Sequence, residues 1–259
     1  MKSIDTNPKN LTTLFKQRIR PIKYQVPLFV LSILCISAVL YLIQILFEPA
    51  YTTNGEFRQF ADTVIIFNLT TPVSPSIWLS SFVHQIGDNY THLWGNIVAF
   101  IGYSIIVALI WVLRSVLNIP PPAKYFRYTY LAIFLLVPIC VSISTLFGTQ
   151  DTIFLPETLR GFSGIVYAIV GLAIAQILFF VQKFSQKNTV IIHALFLVLG
   201  IIIGVISQYL EIQLSGFSGN PIAHFGGYSA GFLVSYFMEW CLTENQSVEV
   251  ESQNKIPHT

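Results

Sequence analysis

The chain has 259 residues, of which 54% are hydrophobic and only 10% are charged. A soluble domain carries about 25% charged residues, so this composition excludes an ordinary soluble fold and is typical of a protein with several membrane spans. The net charge of +2 is too small to indicate a nucleic-acid partner.

Six apolar runs are long enough to cross a membrane as helices, which takes about 20 residues. These runs are Val26–Phe47, His92–Leu113, Tyr128–Phe147, Gly161–Val181, Val190–Leu210 and Ile222–Trp240. The first run starts too late for a cleaved signal peptide, so we interpret it as a retained span. The sequence therefore predicts an all-α membrane protein, with a six-span bundle over residues 26–242. A basic segment (1–25) precedes the bundle, and a polar tail (243–259), which we expect to be disordered, follows it.

The first connection, residues 48–91, is long and contains two short apolar pieces, Thr63–Leu69 and Ile77–Val83. Both are too short to cross the membrane. Their aromatic residues predict interfacial segments at the level of the lipid headgroups. In the third span, Pro138 predicts a kink.

The distribution of basic residues predicts the orientation of the bundle. Of the 14 Lys and Arg residues, twelve lie in the two ends and in the turns after spans 2 and 4, including the turn at 114–127 that begins with Arg114. Only Arg58 and Arg160 fall in the other loops. By the positive-inside rule, both termini are predicted to be cytoplasmic. Spans 2, 4 and 6 then begin at the outer face, and the polar residues at their starts lie at similar depth.

A serine between glycines opens the fourth span, in Gly161-Phe162-Ser163-Gly164. Glycine permits close backbone approach. The N–H groups at a helix start can hold a developing negative charge. We interpret Ser163 as a nucleophile within the bilayer; the alternative is a small-residue patch that only lets two helices pack. A second Gly-Phe-Ser-Gly, containing Ser218, lies in a loop and is interpreted as a flexible outer gate.

A serine nucleophile needs a base, and the chain has five histidines. His258 lies in the tail, and His193 enters span 5 from the cytoplasmic side. His84, His92 and His224 remain on the outer side.

His224 shares a helix face with Gly227 and Gly231, a small-residue pair that permits close helix approach. The fourth span offers a matching small face: Gly164, Ala168 and Gly171. Packing these faces together would bring His224 to Ser163. The alternative is a histidine that extends its ring to the membrane interface.

Three more residues are candidates for supporting roles. Tyr167, four residues after Ser163, could stack on the imidazole, or could simply pack in the core. His92 and Asn96 are also four apart and project together. With the backbone N–H of Ser163 they could form an oxyanion hole, the alternative being a helix cap with a structural hydrogen bond.

The cysteines Cys35, Cys140 and Cys241 all lie in or at the end of apolar runs. An odd number without short spacings argues against disulfides or a zinc site. We interpret them as small packing residues and expect no metal or cofactor.

Over residues 26–242 the chain resembles the rhomboid intramembrane serine proteases. The resemblance rests on three motifs in order: His92-x-x-x-Asn96, Gly161-x-Ser163-Gly164-x-x-Tyr167 and His224-x-x-Gly227-x-x-x-Gly231. It implies a Ser–His dyad without an acidic third member, with Ser163 as nucleophile and His224 as general base and acid. It further implies an oxyanion hole of Asn96, His92 and the Ser163 amide, with Tyr167 bracing His224.

The resemblance also implies a multi-pass protein, expected in a prokaryotic plasma membrane, whose partners are the bilayer and transmembrane substrates cut near the outer surface. The long first loop would be membrane-associated. The stretch from His84 to His92 is longer than usual between such histidines, which leaves the role of His84 open.

Two other functions remain as alternatives. An inactive relative that binds membrane clients typically lacks the serine or the histidine, and this chain has both. A channel or transporter would carry polar residues along the depth of its spans, whereas here they cluster at one level. The chain has neither a His-Glu-x-x-His zinc motif nor a Gly-x-Gly-Asp aspartyl motif.

Overall fold

Over the residues that it describes, the computed structural model consists of helices, short turns and one pair of two-residue strands. It describes residues 24–68, 74–84, 90–117, 119, 121–122, 124–148, 158–159, 161–185, 195, 198–206, 209 and 221–254. The helices are α1 (Gln25–Thr53), α2 (Gly55–Phe60), α3 (Ser74–Leu79), α4 (Thr91–Val116), α5 (Tyr125–Gly148), α6 (Ser163–Ser185) and α7 (Pro221–Asn254). A π-helical turn (Ala61–Ile65) follows α2, and a 3-10 turn (Ser80–Phe82) follows α3. Strands β1 (Phe67–Asn68) and β2 (Thr158–Leu159) pair antiparallel.

Among the described residues, four helices are long and apolar enough to cross a membrane, namely α1, α4, α5 and α6. They coincide with the first four predicted spans to within a few residues, except at the end of α1, which runs on to Thr53. Of the 21 residues of the predicted fifth span, eleven are described, namely 195, 198–206 and 209, and all of them are helical. The membrane side of the two termini stays a prediction.

Helix α7 contains the predicted sixth span and continues to Asn254. The expectation of a disordered tail is therefore wrong for residues 243–254. This stretch contains three glutamates and two glutamines, which favour helix, and no glycine or proline.

Helix α6 forms the centre of the bundle. It packs against α4, α5 and α7, and Ile165, Ala168, Ile169 and Leu172 are fully buried. In its most apolar stretch 67% of the residues are buried, against 17% in α1. Any side chain at the start of α6 is therefore held by three helices, whereas α1 lies at the edge.

The loop between α1 and α4 packs against α5. The indole N–H of Trp78 donates to the carbonyl of Phe134 at 3.1 Å. Pro138, four residues further on, has no N–H to offer this carbonyl, so the indole supplies the missing donor. The Ser142 hydroxyl donates in turn to the Ile77 carbonyl at 2.7 Å. The segment Ile77–Val83 is thus packed against α5, and its predicted position at the membrane interface stays a prediction.

The sequence predicts that Arg114 begins the basic turn at 114–127. In the structure Arg114 is instead part of α4 and is fully buried. It forms an ion pair with Glu239 of α7, and its Nη1 donates to Glu239 Oε2 at 2.9 Å. Gln176 of α6 donates to the same oxygen at 2.9 Å and to the Tyr125 hydroxyl at 2.7 Å. Pairing and hydrogen bonds offset the cost of burying both charges. Four helices are thereby joined at the end of the bundle opposite Ser163.

Candidate active site

The chain enters α6 through a conformation that requires glycine. Gly161 has φ +123°, a value that residues with side chains rarely adopt. Its N–H donates to the Ser80 carbonyl at 3.1 Å. The next residue, Phe162, is fully buried, and its ring packs 5.2 Å from that of Phe100. With both neighbours fixed, Ser163 is the first residue of the helix.

Ser163 and His224 are in hydrogen-bonding contact. The Ser163 Oγ and His224 Nε2 lie 2.9 Å apart. Ser163 is half-buried, and His224, in the first turn of α7, is 8% exposed. An imidazole nitrogen at this distance can accept the hydroxyl proton, so the pair has the geometry of an activated nucleophile and its base.

The contact depends on the close approach of α6 and α7. A Cβ added at Gly227 would meet the backbone of Gly164, and one at Gly231 would meet that of Ala168. One at Gly171 would meet the carbonyl of a residue on α7. Glycine thus brings the two backbones together along the faces predicted from the sequence.

Tyr167 stacks on the His224 ring. The ring centroids are 4.2 Å apart and the planes differ by 13°. Tyr167 lies one turn after Ser163 on α6, so the same helix carries the hydroxyl and the ring that restricts rotation of the imidazole.

Asn96 is 9% exposed, and its Nδ2 lies 2.9 Å from Nε2 of His84. The Phe162 N–H donates to the same ring nitrogen at 3.4 Å. Two donors at Nε2 require the tautomer in which this nitrogen carries no proton. The backbone N–H of His84 donates in turn to Oε1 of Gln44 at 2.9 Å. These bonds connect α1, the first loop and α4 to the residue before Ser163.

His84 is 1% exposed and is the histidine that contacts the Asn96 amide. His92 lies on the exposed side of the first turn of α4, with its ring 5.7 Å from the ring of His84. Sequence spacing pointed to His92 because it is one helical turn from Asn96. His84 reaches the same amide from a loop, and no spacing rule detects such a contact.

Several residues discussed from the sequence lie outside the described part of the chain, namely Arg160, His193, Ser218 and His258. Among the residues that are described, no group of three or more His, Cys, Asp or Glu side chains is placed to hold a metal ion.

Comparison with known proteins gave one match. Residues 122–240 match the family model described as Rhomboid domain. This stretch includes Ser163, Tyr167 and His224 and leaves out His84 and Asn96. No curated protein and no solved structure matched the chain.

Proposed function

Because the chain belongs to the rhomboid family, we propose that it is an intramembrane serine endopeptidase that cleaves transmembrane proteins near the outer membrane surface. The observation that carries the proposal is the 2.9 Å contact between Ser163 Oγ and His224 Nε2. A prokaryotic plasma membrane as its location is part of the same proposal and comes from the family resemblance.

In the proposed reaction, Ser163 Oγ attacks the scissile carbonyl carbon while its proton passes to His224 Nε2. The C–N bond then breaks, and the imidazolium gives this proton to the departing amine. Water attacks the resulting acyl ester while the imidazole takes a proton from it, and the imidazolium passes that proton to Ser163 Oγ as the ester bond breaks and the acid product leaves. Stacking by Tyr167 keeps the imidazole oriented throughout. The substrate helix must unwind locally, because its backbone hydrogen bonds protect the scissile amide.

We assign the oxyanion hole to the Asn96 side chain and the Ser163 backbone N–H. The Asn96 Nδ2 carries two hydrogens, and only one is needed for the bond to His84 Nε2. His84 therefore acts as a positioning residue that fixes the amide plane. A donor of this kind is worth about 2.7–4 kcal/mol in the transition state. Participation of His92, which is exposed, stays a prediction.

The test uses the full chain in lipid bilayers, a fluorophosphonate probe and a single-span reporter. Parent protein should label and cleave, and Ser163→Ala and His224→Ala should abolish cleavage while the thermal unfolding midpoint stays near the parent value. Ser218→Ala is the matched control, since it changes the serine of the second Gly-Phe-Ser-Gly. Full cleavage by His224→Ala would remove the dyad, and a parent protein that binds the reporter without cleaving it would indicate a client-binding relative.

A further inference from the structure

A cavity of about 550 Å³ lies between α1, α5 and the loop that joins α1 to α4. Six residues of α1 between Cys35 and Phe47 form one wall, and the rest of the lining consists of Ile65, Trp78, Leu79, Phe82, Val83 and Phe134. The lining side chains are apolar except for the weak Cys35 thiol and the Trp78 indole N–H, which already donates to Phe134. The cavity therefore lacks the two to four polar partners that a bound water needs.

The dimensions of the cavity fit one hydrocarbon chain. Cys35 and Phe47 are twelve residues apart on α1, which is about 18 Å along a helix. One leaflet of the hydrocarbon core is about 15 Å thick, so the length matches a single leaflet. A helix 18 Å long and about 10 Å in diameter occupies roughly 1,400 Å³. The cavity and the open space at its mouth together provide about 1110 Å³, so a transmembrane substrate does not fit.

The cavity opens toward the surroundings of α1. Val39 and Ile43 both line it and are 55% and 37% exposed. They lie in the middle of a helix long and apolar enough to span the membrane. At this depth the medium that reaches an open apolar cavity is the acyl layer of the bilayer.

We propose that this cavity binds one acyl chain of an outer-leaflet lipid. The chain would lie against Trp78–Val83, the same segment that supports the start of α6. Within it, Ser80 accepts the Gly161 N–H at 3.1 Å, and the Phe82 ring lies 6.5 Å from that of Phe162. A chain bound on one side of this segment therefore braces the residues that position Ser163 on the other.

The binding test uses Trp78 fluorescence and is independent of peptidase activity. The full chain, with its other three tryptophans replaced by Phe, is placed in phosphatidylcholine vesicles whose acyl chains carry bromine. Bromine quenches an indole only at close range, so Trp78 should be strongly quenched. Val39→Phe puts a ring into the cavity and should reduce quenching at least twofold. Leu42→Phe is the matched control, because Leu42 is 54% exposed on the same helix and is not part of the cavity lining.

Absence of Trp78 quenching would overturn the proposal, as would equal quenching in Val39→Phe, Leu42→Phe and the parent. If Val39→Phe fails to fold, Ile43→Phe replaces it, with the same expected loss. Fluorophosphonate labelling of Ser163 is measured on the same samples. Quenching without labelling would refute the proposed peptidase function and leave the lipid site supported. Labelling without quenching would refute the lipid site and leave the proposed peptidase function supported.

Discussion

Replacing Gly227 by alanine tests whether close helix approach sets the Ser163–His224 contact. Gly227 lies three residues after His224 on α7. A Cβ at Gly227 would lie 2.8 Å from the carbonyl carbon of Gly164 and closer still to its oxygen. Ordinary contact begins at 3.4 Å, and the nearer oxygen decides the movement, so the two helices must separate by roughly 1 Å or more.

This separation acts directly on the proposed dyad. It would lengthen the 2.9 Å Ser163–His224 distance to about 4 Å, beyond any hydrogen bond. A misplacement of about 1 Å costs on the order of 10²-fold in rate. We therefore expect Gly227→Ala to lower kcat for reporter cleavage by about 10²-fold, with a much smaller change in KM.

The control is Gly102→Ala in α4, where an added Cβ meets nothing within 4 Å. Alanine is about 1 kcal/mol more favourable than glycine inside a helix, so this variant should be folded and active. Cleavage and fluorophosphonate labelling are measured in bilayers, alongside the thermal unfolding midpoint. Parental cleavage by folded Gly227→Ala would refute the reasoning.

Three further outcomes follow from the hydrogen bonds. His84→Ala should slow cleavage about as much as Asn96→Ala, because each substitution removes the same oriented amide. The double variant should therefore be no slower than the slower of the two single variants. Losses in kcat that add up in the double variant would contradict the shared role. Trp78→Phe should destabilise the protein by about 1–3 kcal/mol because a buried carbonyl loses its donor. Adding Pro138→Ala to Trp78→Phe should recover part of the lost stability, because residue 138 then supplies a helical N–H to the Phe134 carbonyl. If Trp78→Phe costs the same with Pro138 and with alanine at 138, the indole does not replace this donor. Glu239→Ala should cost about 3–5 kcal/mol because it leaves a buried guanidinium unpaired, and a parental unfolding midpoint would argue otherwise.

The parts of the site that sequence could predict are those set by local spacing. Ser163 and Tyr167 lie one turn apart on one helix, and Gly227 and Gly231 likewise. Small residues on two helices then indicate which faces meet, because only such faces allow backbones to touch. The meeting of Ser163 with His224 follows from these local patterns.

The parts that sequence missed depend on contacts between distant segments. His84 reaches Asn96 from a loop, so no helical period relates the two. Hydropathy alone predicts that Arg114 is a turn residue. Its position in the interior depends on the ion pair with the buried Glu239 of α7. The sequence predicts only that Trp78 is an interfacial aromatic residue. Its contact with α5 depends on the Phe134 carbonyl, which Pro138 leaves without a helical donor.

The two polar clusters together fix the register between α6 and α7. Glycine and alanine faces allow the helices to approach, but such faces lack large side chains that would stop the helices from sliding. Ser163 meets His224 at one end, and Gln176 meets Glu239 at 2.9 Å, about 22 Å further along α7. A slip of one residue, about 1.5 Å, would break both contacts at once. Loss of Glu239 should therefore slow labelling of Ser163 as well as lower stability, although the two residues lie at opposite ends of the bundle.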